Sequence, residues 1–214
     1  MTMTILIADD HPLFRQALTL AASRVVPGAR IVEAGTLAAA ARAAQEAQDL
    51  KLIMLDLKMP GAVGYSGIAL LHAERPEVPI LVISSAEGQA AADEARAFGA
   101  MAFLSKHADL DQIESTITRI LGGQTVPTAA RSGESMPAGD IENIRREVAG
   151  LTPTQLKVLL AVLDGQLNKQ IAFQLGITES TVKAHMTAIM RKLDVRNRTQ
   201  AALVARSLGL DLAH

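Results

Sequence analysis

The sequence predicts an α/β domain built on a doubly wound, five-stranded parallel sheet, followed by an all-α domain of four helices. Three observations predict this. The first 121 residues alternate short β-branched runs with longer helical ones. The texture then turns to glycine and proline between Gly122 and Gly139, and from Leu151 onward every periodic stretch is helical. The expected organisation is therefore 1–121, a linker over 122–147, and a second domain over 148–214.

Ile5-Leu6-Ile7-Ala8 reads as the first strand, followed by the amphipathic run Leu13 to Leu18. Arg30 to Glu33 precedes the alanine-rich run Leu37 to Ala47, with Thr36 placed as its N-cap. Leu52 to Leu55 is a continuous apolar strand, and Ser66 to Glu74 can form the next helix. Ile80 to Ile83 leads to a helix through Ala90–Phe98 that stops at Gly99. Met101 to Leu104 leads to the last helix of the domain, capped by Asp109 and ending at Leu121. Strands apolar on both faces belong to a parallel sheet covered on both sides, and right-handed crossovers make the doubly wound arrangement the simplest one. Beyond the linker, which a short helix at 141–148 can close, Thr152, Pro153 and Gln155 form a capping box. Helices are expected near Asn168–Leu175, Glu179–Leu193 and Thr199–Leu208.

Composition excludes several classes. Of 214 residues, 49% are hydrophobic and 20% charged, enough apolar surface for a packed core. Cysteine is absent, which removes disulfide scaffolds, thiolate metal sites and thiol catalysis, and suits a reducing compartment. No apolar run approaches the roughly 20 residues that cross a bilayer. The N-terminus has no basic lead-in and runs into Asp9-Asp10, so it reads as a strand, not a signal peptide. A cytoplasmic protein without a membrane partner is expected. The net charge of −1 gives no hint of a polyanionic partner when taken whole.

Polar residues gather at the strand ends. Asp9 and Asp10 follow the first strand, Asp56 the third, Ser84 the fourth and Lys106 the fifth. Sites in doubly wound sheets form beyond those ends. Three crowded carboxylates repel unless a cation joins them, and an oxygen-only set suits a hard ion such as Mg²⁺. A lysine and a hydroxyl beside them complete a site for a phosphoryl group. Acids at strand ends also serve as plain caps, but five polar residues at matching positions argue for a site. No glycine-rich or Walker-type phosphate loop is present, which disfavours nucleotide binding.

A second constellation lies between Gln170 and Thr178. One helix ends, Gly176 permits a tight turn and Thr178 caps the next helix, which makes a helix-turn-helix. At about 100° per residue, Val182, Met186, Ile189 and Leu193 share one face of the second helix. Ser180, Lys183, Ala184, Thr187 and Arg191 share the opposite one, which is small, hydrogen-bonding and cationic. A solvated helix face can look the same, but the preceding turn and the cluster Lys192, Arg196 and Arg198 favour a surface for the DNA major groove. His185 is expected to pack inward.

Residues 3–121 resemble the receiver domain of two-component response regulators, a flavodoxin-like fold. The motifs are Ala8-Asp9-Asp10-His11-Pro12, Leu55 to Gly61 around Asp56, Ile83-Ser84-Ser85, Phe98-Gly99-Ala100 and Leu104-Ser105-Lys106. The resemblance implies that Asp56 accepts a phosphoryl group from a sensor histidine kinase. It implies that Asp9, Asp10, Asp56 and the Lys58 backbone carbonyl hold Mg²⁺. Ser84 and Phe103 are then the switch residues and Lys106 the phosphate-pairing cation. The loop Gly61 to Gly67 is longer than the family's usual connection, and its Tyr65, the only tyrosine, is expected to pack.

Residues 151–208 resemble the LuxR-type helix-turn-helix that ends response regulators of the NarL/FixJ group. The motifs are Leu151-Thr152-Pro153, Asn168 to Ala172, Ser180 to His185, Arg191-Lys192-Leu193 and Arg198 to Ala201. The resemblance implies contacts to double-stranded DNA from Lys169, Ser180, Thr181, Lys183, Ala184, Thr187, Arg191 and Lys192. It implies a homodimer on activation through Ala201, Ala205 and Leu208, read out on a two-fold site. Gln155 replaces the family's usual Glu, which weakens an expected ion pair, and Thr187 stands where a basic residue can occur.

The expected function is thus a DNA-binding regulator of transcription, switched by phosphorylation, and not an enzyme. One alternative is a receiver that regulates transcription without phosphorylation. Another is an aspartyl-nucleophile phosphohydrolase, which would want Asp-x-Asp where this chain has adjacent acids. The charge follows the same division. Residues 1–147 hold 13 Lys+Arg and 18 Asp+Glu, a net of −5, and residues 148–214 hold 8 and 4, a net of +4.

Overall fold

A computed structural model describes residues 2–62, 64–85, 88–123, 148 and 150–207. The chain divides into two compact units between Met136 and Pro137. The expected linker beyond Gly123, the short helix at 141–148 apart from Val148, and Leu208 lie outside the described residues.

The first unit is a five-stranded parallel sheet in the order β2-β1-β3-β4-β5. Its elements are β1 (Thr4–Ala8), α1 (Pro12–Val25), β2 (Arg30–Ala34), α2 (Leu37–Glu46), β3 (Leu50–Leu55), α3 (Ser66–Glu74), β4 (Ile80–Ser84), α4 (Gln89–Ala97), β5 (Ala102–Ser105) and α5 (Leu110–Leu121). All five residues of β1 and of β4 are buried, which explains why these strands read as unbroken apolar runs. Alternate residues serve opposite faces. Ile5, Ile7, Leu52, Met54, Leu81 and Ile83 form one core with Leu18 of α1 and Ile117 of α5. Burying each such side chain stabilises by about 1.5–3 kcal/mol, so the helices are held by packing more than by propensity.

Several caps match their sequence signals. Thr36 accepts a hydrogen bond from Ala39 N, and Asp109 accepts one from Gln112 N. Other bounds differ from expectation for physical reasons. The first helix reaches Val25 because Ala21 and Ala22 continue its buried face. β4 takes in Ser84 because the Ser84 carbonyl still accepts from Lys106 N at 2.9 Å. α3 keeps its expected bounds, Ser66–Glu74, and its first residues Ser66 and Gly67, which also close the long loop, are buried.

The second unit is helical: α6 (Pro153–Leu163), α7 (Asn168–Leu175), α8 (Glu179–Lys192) and α9 (Arg198–Ser207). The capping box of Thr152 and Gln155 opens α6. Gly176, at φ +65°, ends α7 in the left-handed region, and Thr178 caps α8 by accepting from Thr181 N. Val182, Met186, Ile189 and Leu193 are buried, as the 3.6-residue period predicts. His185 is half-buried. One expectation fails here. Ala201 and Ala205 are fully buried, so they cannot present a surface to a second subunit. Small residues one turn apart let α9 approach α6 and α8 within its own domain.

Candidate functional site

β1 and β3 are neighbours at the point where strand order reverses, and their ends open a crevice. Backbone bonds carry the ladder one residue past each strand: Asp9 N donates to Ala34 O and Asp56 N to Ala8 O. Those bonds aim both carboxylates into the crevice. Both residues are almost fully buried.

Lys106 Nζ stands 2.7 Å from Asp9 Oδ2 and 2.7 Å from Asp56 Oδ2. Lys58 N donates to the other Asp56 oxygen at 3.1 Å. Burial opposes the lysine's charge, but the hydrogen bond to Asp56 and the close carboxylate of Asp9 outweigh it and raise the ammonium above its ordinary pKa. The Phe14 ring adds a cation–π contact, with Nζ 4.8 Å from its centroid. A cavity of about 560 Å³ opens over Asp56, lined by His11, Phe14, Lys58, Ser85 and Lys106.

The donor set suits a hard divalent ion. Oxygens of Asp9, Asp10 and Asp56 and a nitrogen of His11 lie within 4.8 Å of one another. Asp9 Oδ2 and Asp10 Oδ1 are buried and accept no well-directed hydrogen bond, although Lys106 Nζ and His11 Nδ1 each stand 2.7 Å away. Mg²⁺ would satisfy them.

The sequence-predicted residues fall as follows. Asp9, Asp10, Asp56, Lys58 and Lys106 come together. Ser84 is fully buried at the end of β4, while its exposed neighbour Ser85 lines the cavity. Phe103 is half-buried on β5, opposite Val82. Tyr65 stacks on Phe98 with ring centroids 5.7 Å apart, so it packs as expected. His11 and Phe14 join the site without having been singled out. His11 stood in the motif beside Asp10 and Phe14 in the first helical run, but their contacts with Lys106, far along the chain, were not visible.

In the second unit Lys169, Ser180, Lys183, Ala184, Thr187 and Arg191 are exposed, and Thr181 is half-buried. Thr178 Oγ1 binds both Ser180 Oγ and Thr181 Oγ1, which fixes the start of α8. Lys192 was expected among the DNA contacts. Its ammonium donates to Gly150 O at 2.8 Å and Gln155 Oε1 at 3.1 Å, so it ties α8 to the start of α6. The Gln155 amide oxygen thus accepts from a cation in place of a Glu carboxylate. Arg198 is likewise turned inward, to Asn168 Oδ1 and Gln166 O.

Comparison with known families assigns both units. The family described as "Response regulator receiver domain" matches residues 5–118, and "Bacterial regulatory proteins, luxR family" matches residues 149–205. The chain is a response regulator. It belongs to the NarL/FixJ-type group, in which a receiver is joined to a LuxR-type DNA-binding domain. Response regulators similar to it include the nitrate/nitrite response regulator NarL of Escherichia coli, 30% identical over 94% of this chain and 93% of its own. The glycerol metabolism activator of Pseudomonas putida is 39% identical over 94% of each chain. Among solved structures, a LuxR-family response regulator from Aurantimonas is 28% identical, with a TM-score of 0.53 over 58% of this chain and 89% of its own. RcsB of Salmonella typhimurium, 19% identical, shares the fold with a TM-score of 0.54 over 96% and 98%. This response regulator is accordingly a DNA-binding transcription regulator of a two-component system, with a histidine kinase as phosphodonor. No helix among its described residues is long and apolar enough to cross a membrane.

Proposed function

We propose that Asp56 is the phosphoacceptor and that its phosphorylation governs the DNA-binding domain. The observation that carries this reading is the buried Asp56 carboxylate, with one oxygen on Lys58 N and the other on Lys106 Nζ. In the transfer, an Asp56 oxygen attacks the phosphorus of a phosphohistidine. The P–N bond breaks, its electron pair stays on the imidazole, and an acyl phosphate forms. Lys106 then exchanges a carboxylate oxygen for a phosphoryl oxygen, Ser84 donates its hydroxyl to another, and Phe103 follows. Asp9, Asp10, Asp56 and the Lys58 carbonyl would hold Mg²⁺, which when bound neutralises charge on the incoming group. The chain transfers this group to itself and turns over no separate substrate.

The output reading places α8 in the major groove, with Lys183, Ala184, Thr187 and Arg191 towards the bases and phosphates. Ser180 and Thr181 at its start and Lys169 on α7 meet the backbone. The domain limits that fit this reading are 1–121, 122–147 and 148–214. We assign dimer formation on activation to the outer side of α9, where Leu203 is 59% exposed, so that two copies meet a two-fold site. A regulator of this kind works beside the chromosome, in the cytoplasm.

Substituting Asp56→Asn should abolish labelling by a small phosphodonor with Mg²⁺, measured as loss of the phosphoryl adduct in the intact mass. Labelling retained by a folded Asp56→Asn chain would refute the assignment.

A further inference from the structure

We propose that His11 is a fourth side-chain ligand of the acidic crevice and biases it from Mg²⁺ towards first-row transition ions such as Mn²⁺ and Co²⁺. This rests on the reading of the crevice as a divalent-cation site. His11 Nδ1 lies 2.7 Å from Asp10 Oδ1 and 3.2 Å from Asp9 Oδ1. It belongs to the same cluster of converging donor atoms as Asp56, within 4.8 Å.

The ring is placed by the backbone. His11 N donates to Asp9 Oδ1 at 2.7 Å, and Pro12 restricts the residue before it to the extended conformation observed, φ −90° and ψ 108°. With Nδ1 protonated the ring donates to Asp9 Oδ1 and stands close to Asp10 Oδ1. The other neutral tautomer makes the same atom a lone-pair donor without changing the charge. Lys106 Nζ already approaches Nδ1 to 3.5 Å, so a cation can stand close to that atom.

The consequence follows from ligand chemistry. Carboxylates and carbonyls serve Mg²⁺ and Mn²⁺, whereas an imidazole gains affinity along the series from Mn²⁺ through Co²⁺. Any such site prefers transition ions to some degree. The part of the preference that depends on His11 is what the proposal claims, and it should grow in the order Mg²⁺, Mn²⁺, Co²⁺.

The test uses the full-length chain with His11→Gln, which can still donate to Asp10, and His11→Ala. Unfolding curves without added ions check that both variants fold. Mn²⁺ binding is read from the loss of the free-ion electron paramagnetic resonance signal, Mg²⁺ by competition with Mn²⁺, and Co²⁺ from its visible spectrum. Both variants should lose at least about tenfold in Co²⁺ affinity and less for Mn²⁺, because even outer partners of metal ligands are worth that much. Mg²⁺ affinity should hardly move. Equal losses for the three ions would make His11 only an orienter of Asp10, and no loss would make it a bystander; either overturns the proposal. If the unaltered chain binds none of the ions, the reading of the crevice falls as well.

Discussion

Gly99 stands at φ +107°, and a Cβ built there would lie 2.6 Å from Cγ of His72. Backbone strain and a ring packed on the glycine therefore act together. Gly99→Ala should cost about 2 kcal/mol or more in chemical denaturation. Adding His72→Ala should recover only the steric part. The glycine was readable as a helix stop, but its ring contact was not, because His72 is distant in the chain. The acidic crevice was legible for the opposite reason: charged residues directly after apolar strands have few places to go but the open end of the sheet. His11 and Phe14 escaped notice because an exposed histidine and a helical phenylalanine have commoner uses. Only the convergence on Lys106 separates them from those uses.

At the scale of elements, α8 shows what periodicity resolves and what it cannot. The 3.6-residue period sorts its buried and exposed faces correctly. Side-chain reach then changes the meaning of single positions. Lys183 is exposed, whereas the four-carbon stem of Lys192 bends back to Gly150 and Gln155. Lys183→Ala should weaken DNA binding and lower the salt dependence by about one ion. Lys192→Ala should leave that slope unchanged and lower the domain's stability by about 1–2 kcal/mol. A reduced slope for Lys192→Ala in a binding titration would return it to the phosphate contacts. The two alanines of α9 carry the same lesson. Small residues one turn apart permit close packing, but the pattern does not say whether the neighbour is the same chain or another.

For the molecule as a whole, the net charge of −1 conceals an acidic phosphate-receiving part and a basic DNA-reading part. That division was readable from the sequence because composition changes together with helical texture. The contact between the loop after β3 and the end of α4 was less readable, since it is a stacked pair formed across the fold. Tyr65, in the loop that leads from Asp56 to α3, lies flat on Phe98 at the end of α4, with the rings 7° from parallel. The chain has one tyrosine and no tryptophan. Its tyrosine emission therefore comes from a single ring in the loop after Asp56, and the protein carries its own optical reporter. Phosphodonor with Mg²⁺ should change the tyrosine emission and the near-ultraviolet dichroism of the unaltered chain and leave Asp56→Asn silent. A spectrum that stays flat while the adduct forms would mean that the message leaves Asp56 by a route that bypasses this stack.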